Sequence, residues 1–269
     1  MSPDARTVRR PFPILPGLGG LLRGELARWL GRRGLVHLIV WTVLIQSMLF
    51  FETVAGTKMW ADWRGFDLLV HIWWIFVPLA SIGIAQNALI EERHDDTAPW
   101  VLSKPVSRSA YVVAKILGTT IGIVTIGLAL QAALAYAWLP EVEPATGLPI
   151  ARPELGRYVA VIGVLAIVAL MFVALTIAIT TVLPWRGPAA FVGLVVWILV
   201  WTAPHEQIER FTIGGLLVGD LEKPRQMKPL AEYLIFDTPL EPTTSIVWTA
   251  VAAIVFGTLG ALVYRRQQF

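Results

Sequence analysis

The chain has 269 residues, of which 56% are hydrophobic and only 15% charged, and its mean hydropathy is +0.65. Soluble domains carry roughly a quarter charged residues, so this composition excludes an ordinary soluble globule and points to an integral membrane protein. The net charge of +3 gives no footprint for nucleic acid, and the absence of cysteine excludes disulfides, thiolate metal sites and Cys nucleophiles.

In chain order, the first stretch does not read as a signal peptide. Arg6, Arg9 and Arg10 are followed by Pro11, Pro13 and Pro16 instead of a continuous apolar run. Leu21 to Gly34 follows, with Leu21, Leu22, Leu26, Trp29 and Leu30 at helical spacing on one side and Arg23, Arg28, Arg32 and Arg33 on the rest. This pattern predicts an amphipathic helix lying in the membrane plane; the plainer reading is a charged flank of the first span.

Six apolar segments approach or exceed the roughly 20 residues needed to cross a bilayer: Leu35–Val54, Phe66–Ile90, Tyr111–Trp138, Leu155–Leu183, Gly187–Ala203 and Ser245–Tyr264. The fifth is short, with Pro188 suited to a helix start and Pro204 just past its end. Pro184-Trp185-Arg186-Gly187 forces a hairpin between the fourth and fifth. The 12 Trp suit aromatic belts at the membrane interfaces. The predicted fold is therefore an all-α integral membrane protein. Its parts are a cytoplasmic amino terminus with an elbow helix (1–34) and a single six-helix transmembrane domain (35–269).

Basic residues set the orientation. With both termini inside, the inner side holds Arg6, Arg9, Arg10, Arg23, Arg28, Arg32, Arg33, Arg93, Lys104, Arg108, Lys115, Arg186, Arg265 and Arg266. The outer side holds Lys58, Arg64, Arg152, Arg157, Arg210, Lys223, Arg225 and Lys228. The positive-inside rule favours this arrangement, in an inner (cytoplasmic) membrane with both termini cytoplasmic. Two outer connections stand out. Pro140–Glu154 is proline-rich, and 204–244 holds apolar runs around Ile208–Leu217 and Leu230–Ile235 that predict short helices forming a cap. Such a cap suits gating or an extracytoplasmic partner.

Chemistry-bearing motifs are sparse. There is no phosphate-cradling G-x-x-x-x-G-K-[ST] and no H-E-x-x-H. His37 and His71 would hold a haem or metal only if spans one and two brought them face to face; isolated membrane histidines more often bond a neighbouring helix. Polar residues inside spans, notably Gln46, His71, Gln131 and Thr176, either line a substrate path or act as interhelical glue, the commoner role. No charge lies near the middle of a span, which argues against an ion pump or proton relay. Gly118 and Gly122 form a G-x-x-x-G that permits close helix approach, a pattern too common to specify dimerisation.

The densest polar segment is Glu91 to Lys115, EERHDDTAPWVLSKPVSRSAYVVAK, a mixed-charge island between two long spans. It must lie outside the lipid. Thr97–Leu102 suits a short helix presenting Trp100, Val101 and Leu102 to an apolar pocket, with Lys104 and Arg108 meeting acidic or phosphate groups. The plainer reading is a solvated loop whose basic residues reach lipid headgroups.

Glu91-Glu92-Arg93, then Val101-Leu102-Ser103-Lys104-Pro105-Val106-Ser107-Arg108, then Tyr111 and Lys115 resemble the cytoplasmic signature of ABC type-2 transporter permeases. The layout is similar too: an elbow helix, six spans, both termini inside and a structured outer segment before the last helix. One departure is Asp96, which stands where the family usually has glycine. The resemblance implies a non-catalytic permease subunit of an exporter. It would pair with a second permease subunit, as a homo- or heterodimer, and be driven by a separate nucleotide-binding ATPase that carries the ATP and Mg. It implies that segment 91–110 is the coupling segment. Glu91, Glu92, Arg93, Asp95 and Asp96 would fix span two to the ATPase, and Trp100, Val101 and Leu102 would be the apolar plug. Lys104, Pro105 and Arg108 would set the exit angle into span three. The low charge of the spans suggests a hydrophobic or amphipathic cargo. Two rivals remain: a membrane redox protein using His37 and His71, and an assembly scaffold binding its partner through the outer loop.

Overall fold

The computed structural model describes residues 15–53, 65–94, 103, 106–139, 152–183, 185–202, 233–234 and 243–267. Every regular element among them is helical. The helices are α1 (Leu18–Leu30), α2 (Arg32–Thr53), α3 (Phe66–His94), α4 (Arg108–Ile123), a π-helical segment (Val124–Ala129), α5 (Leu130–Trp138), α6 (Leu155–Val182), α7 (Arg186–Thr202) and α8 (Thr243–Arg266). Five stretches are long and apolar enough to span a membrane: Arg32–Phe51, Leu68–Glu92, Arg108–Trp138, Leu155–Val182 and Thr244–Arg266. The apolar helix at Gly187–Leu199 is shorter. The protein is thus an all-α, multi-span membrane protein.

α6 lies at the centre, packed against α3, α4, α7 and α8. Its residues Val161, Leu165, Ala169, Phe172, Val173 and Ile177 are buried, as expected of a helix apolar on all sides. α3 is also largely enclosed, and Pro78 is accommodated inside it. α2 and α8 instead keep broad apolar faces outward, with Val43, Phe51, Ile254 and Leu259 among the exposed side chains. In a membrane chain such faces meet lipid or another subunit. α6 and α7 form the tight hairpin expected from Pro184-Trp185-Arg186-Gly187, with α7 starting at Arg186 and Pro188 in its first turn.

The amino-terminal helix packs against the bundle. α1 runs along α4 in the same chain direction. Pro16 accepts a backbone bond from Ser107 at 3.1 Å, and further along Glu25 abuts Gly118 and Trp29 abuts Gly122. That succession of contacts covers about 18 Å of α1, which requires a shallow crossing. The physical reason is the glycine pair. A Cβ at Gly118 would meet Glu25 Cβ at 2.5 Å, and one at Gly122 would meet the Trp29 ring at 2.0 Å. The G-x-x-x-G of α4 is therefore occupied within the chain by α1. The expected apolar side of α1 is only partly enclosed: Trp29 is buried, but Leu30 is 90% exposed.

α1 ends at Gly31, whose extended conformation breaks the helix before α2. At the far end of the bundle, Arg152 donates to the Leu139 carbonyl at 3.2 Å and lies over the Tyr136 ring, tying α5 to the start of α6. Of the 204–244 segment expected to hold short helices, only Tyr233 and Leu234, before α8, are described; Leu234 is buried in the core. The rest lies outside the described residues.

Candidate functional site

The ends of α3 and α4 that flank the polar island are held together by buried charge. Lys115 is 1% exposed, on a face of α4 that also carries Tyr111, one helical turn earlier. Its Nζ lies 2.6 Å from Glu25 Oε1 of α1 and also pairs with Glu92 of α3. Glu92 in turn accepts from the Tyr111 hydroxyl and pairs with Arg28 of α1 at 2.6 Å. Arg28 completes the group by bonding Glu25 at 3.1 Å. Two carboxylates face two cations, so the cluster is neutral as a whole. That balance is what makes buried charge tolerable, since an unpaired ion would cost several kcal/mol, about 3–5 when one partner is removed.

Arg28 sits at the edge of the cluster, outside the spans. Burial alone would lower its pKa, but the Glu25 and Glu92 carboxylates outweigh that and hold the guanidinium above its ordinary value. It therefore stays charged at any physiological pH.

The last helix joins the same end. Tyr264 of α8 is buried and stacks on Tyr111, with ring centroids 5.5 Å apart. Arg108, at the first turn of α4, donates to the carbonyls of Arg265, at 3.3 Å, and Gln267. Gln267 in turn donates to the Thr181 carbonyl at the end of α6. α4 itself starts cleanly because the Ser107 hydroxyl accepts the Ala110 amide at 3.0 Å, an N-cap. The ends of α1, α3, α4, α6 and α8 are thus tied into one assembly immediately beside the island.

Several residues expected at the coupling site can be placed. Glu92 points inward, into the ion cluster. Glu91 is half-buried in the last turns of α3, and Arg93 follows it on the same helix. Arg108 caps the end of α8 from the start of α4. Ser103 is exposed. Asp95, Asp96, Trp100, Val101, Leu102, Lys104 and Pro105 lie outside the described residues. Sequence reading did not single out Glu25, Arg28 or Tyr264 as members of this site, because their partners are brought up only by tertiary packing. Lys115 carried a signal, a charge one turn inside an apolar run, but its partners were not legible.

The polar residues within the spans form a second, uncharged network. Gln46 of α2 donates to Gln131 Oε1 of α5 at 3.0 Å and accepts from Trp138 Nε1 at 2.6 Å. Gln131 donates to Thr42 Oγ1 at 3.0 Å. These bonds make the pair an interhelical tie between α2 and α5. His71 on α3 and Thr176 on α6 are both buried. His37 lies against Trp29, with ring centroids 5.2 Å apart. Among the described residues, no group of three or more His, Asp or Glu is placed to hold a metal ion.

Comparison with known proteins adds the family. A search of curated proteins finds no match. The model of the family described as "ABC-2 family transporter protein" matches residues 34–206, which is most of the chain. That stretch takes in α2, α3, the polar island and α4 to α7. In keeping with the all-α multi-span fold, the match places this chain in the ABC-2 family of transporter membrane proteins.

Proposed function

We propose that the chain is the membrane-spanning permease subunit of an ABC exporter, with segment 91–110 as the surface that receives a separate nucleotide-binding ATPase. One observation carries the reading: the two helices leaving the island, α3 and α4, are bound to each other and to α1 through Glu92, Lys115, Glu25 and Arg28. A displacement applied at the island would move these ends together, because separating them would strand buried charges. The Tyr111–Tyr264 stack and the Arg108 bonds extend the same linkage to α8.

In this reading α7, though only 17 residues long, is the fifth of six spans, and both termini are cytoplasmic. Residues 1–34 form the cytoplasmic amino terminus with α1, 35–269 the transmembrane domain, and 204–244 an outer cap. A second permease subunit covers part of the exposed apolar faces, and ATP and Mg are bound by the partner ATPase. Asp95 and Asp96 join Glu91 and Arg93 in fixing α3 to the ATPase. Trp100, Val101 and Leu102 plug its cleft, while Lys104, Pro105 and Arg108 orient α4. The cargo is hydrophobic or amphipathic. Gln46, His71, Gln131 and Thr176 are proposed to lie on its path.

The test is affinity purification from native membranes in mild detergent, with mass spectrometry of the co-purifying chains and an ATPase assay. The expected result is a Walker-motif ATPase that is released by Arg108→Glu and weakened by Trp100→Ala. Recovery of the chain without any ATPase, or release unaffected by these substitutions, would overturn the reading.

A further inference from the structure

A groove of about 430 Å³ opens between α4, α6 and α8, in the size range of small-ligand clefts. Its lining is apolar and follows helical stripes: Val113 and Leu117 on α4, Leu170 on α6, and Ile254, Thr258 and Leu262 on α8. Ile254 and Leu262 are 68% and 49% exposed, so the groove faces outward, toward lipid in a spanning chain. None of Gln46, His71, Gln131 or Thr176 lines it.

One end of the groove is basic. The α8 stripe advances by four residues, Ile254, Thr258, Leu262, and its next member is Arg266, which is exposed beside the exposed Arg265. The α4 stripe runs the other way to Ser109, next to Arg108, which is bonded to the backbone at Arg265. No acidic residue occurs from Ser103 through Pro140 or after Glu241. The helical register thus sets Arg108, Arg265 and Arg266 one turn or less beyond the last lining residues at that end of the groove. Guanidinium groups match phosphate geometry, and basic pockets between membrane helices select anionic headgroups.

We propose that this groove holds one acyl chain of an anionic glycerophospholipid, whose phosphate headgroup sits on Arg265 and Arg266. The apolar stripe binds the chain and the arginines supply the preference for charge. Because Arg108 and Tyr264 tie the same end of α8 to α4, an occupied groove also braces α8 against α4. The site requires no ATPase, so it stands or falls separately from the transport reading.

The experiment is native mass spectrometry of the delipidated full chain in detergent, titrated in parallel with dioleoyl-phosphatidylglycerol and dioleoyl-phosphatidylcholine. The expected result is one phosphatidylglycerol retained, at about tenfold or greater preference, the order expected from two basic residues. The surface pair Arg265→Gln with Arg266→Gln should abolish that preference without affecting folding. Gly257→Phe should reduce retention of both lipids, since a Cβ at Gly257 stands 3.6 Å from Ile116 with the groove beyond it. Equal retention of the two lipids, or a preference that survives the arginine substitutions, would overturn the proposal. So would a loss of dimer mass instead of lipid mass on Gly257→Phe, which would make the groove a contact between two copies of the chain.

Discussion

The two ends of the bundle hold their helices by different physics. Beside the polar island, α1, α3 and α4 meet through full charges: Glu25, Arg28, Glu92 and Lys115, with Tyr111 donating into the group. Farther from the island, α2 and α5 meet through neutral amides, Gln46 and Gln131, with Trp138 and Thr42. There the aromatic rings of Phe66, Tyr136 and Tyr158 also pack together, with centroids 5.3–5.8 Å apart. A charged cluster is all-or-none, because opening it exposes unpaired ions to a medium of low dielectric. An amide tie gives way in small steps, because each bond is individually modest. The end beside the island thus resists separation of its helices as a unit, and the other gives way bond by bond.

Removing one partner at the charged end should produce the largest effect. Lys115→Met leaves Glu25 and Glu92 sharing Arg28 alone, one buried carboxylate in excess, and should cost about 3–5 kcal/mol of stability, read as a sharp fall in the thermal unfolding temperature in detergent. Pairing it with Glu92→Gln should recover part of that loss. If the double variant were no more stable than the single, the charges would not be acting as a pair.

Next in size is the α1 contact. Gly122→Ala places a Cβ 2.0 Å from the buried Trp29 ring and should cost about 1–3 kcal/mol. The loss should be concentrated in α1, seen as faster amide exchange over Leu18–Leu30 while α6 remains protected.

Ser107→Ala removes the cap that starts α4 and should cost about 1 kcal/mol. Exchange should quicken in the first turn after Ser107. The smallest effect belongs to the amide end. Gln46→Leu breaks the bonds to Gln131 and Trp138 and should cost about 0.6 kcal/mol. A loss there as large as that of Lys115→Met would erase the contrast between the two ends.

Much of the fold was legible because membrane spans write themselves in long apolar runs. Span two was expected from Phe66 and α3 begins there. Span four was expected over Leu155–Leu183 and α6 covers Leu155–Val182. The start of α4 at Arg108 instead of Tyr111 follows from the Ser107 cap, a signal present in the sequence but not used. The packing of α1 on α4 was not legible, because amphipathicity says which face is apolar, not what covers it. Gly118 and Gly122 announced a close approach without naming the partner. The ion cluster was not legible as a cluster. Lys115 and Glu92 are 23 positions apart, and no local pattern links either to Glu25. The π-helical segment at Val124–Ala129, where the Gly127 carbonyl accepts from Trp73 Nε1 at 3.2 Å, carried no sequence signal that we can identify.

The most direct measurement is ATP hydrolysis by the assembled complex in membranes, comparing the native chain with Glu92→Gln. The ATPase partner should still co-purify with the variant, because Glu92 points into the cluster, while transport-coupled hydrolysis should fall strongly. Hydrolysis equal to that of the native chain, with the partner bound, would contradict the claim that the buried charges carry movement from the island into the spans.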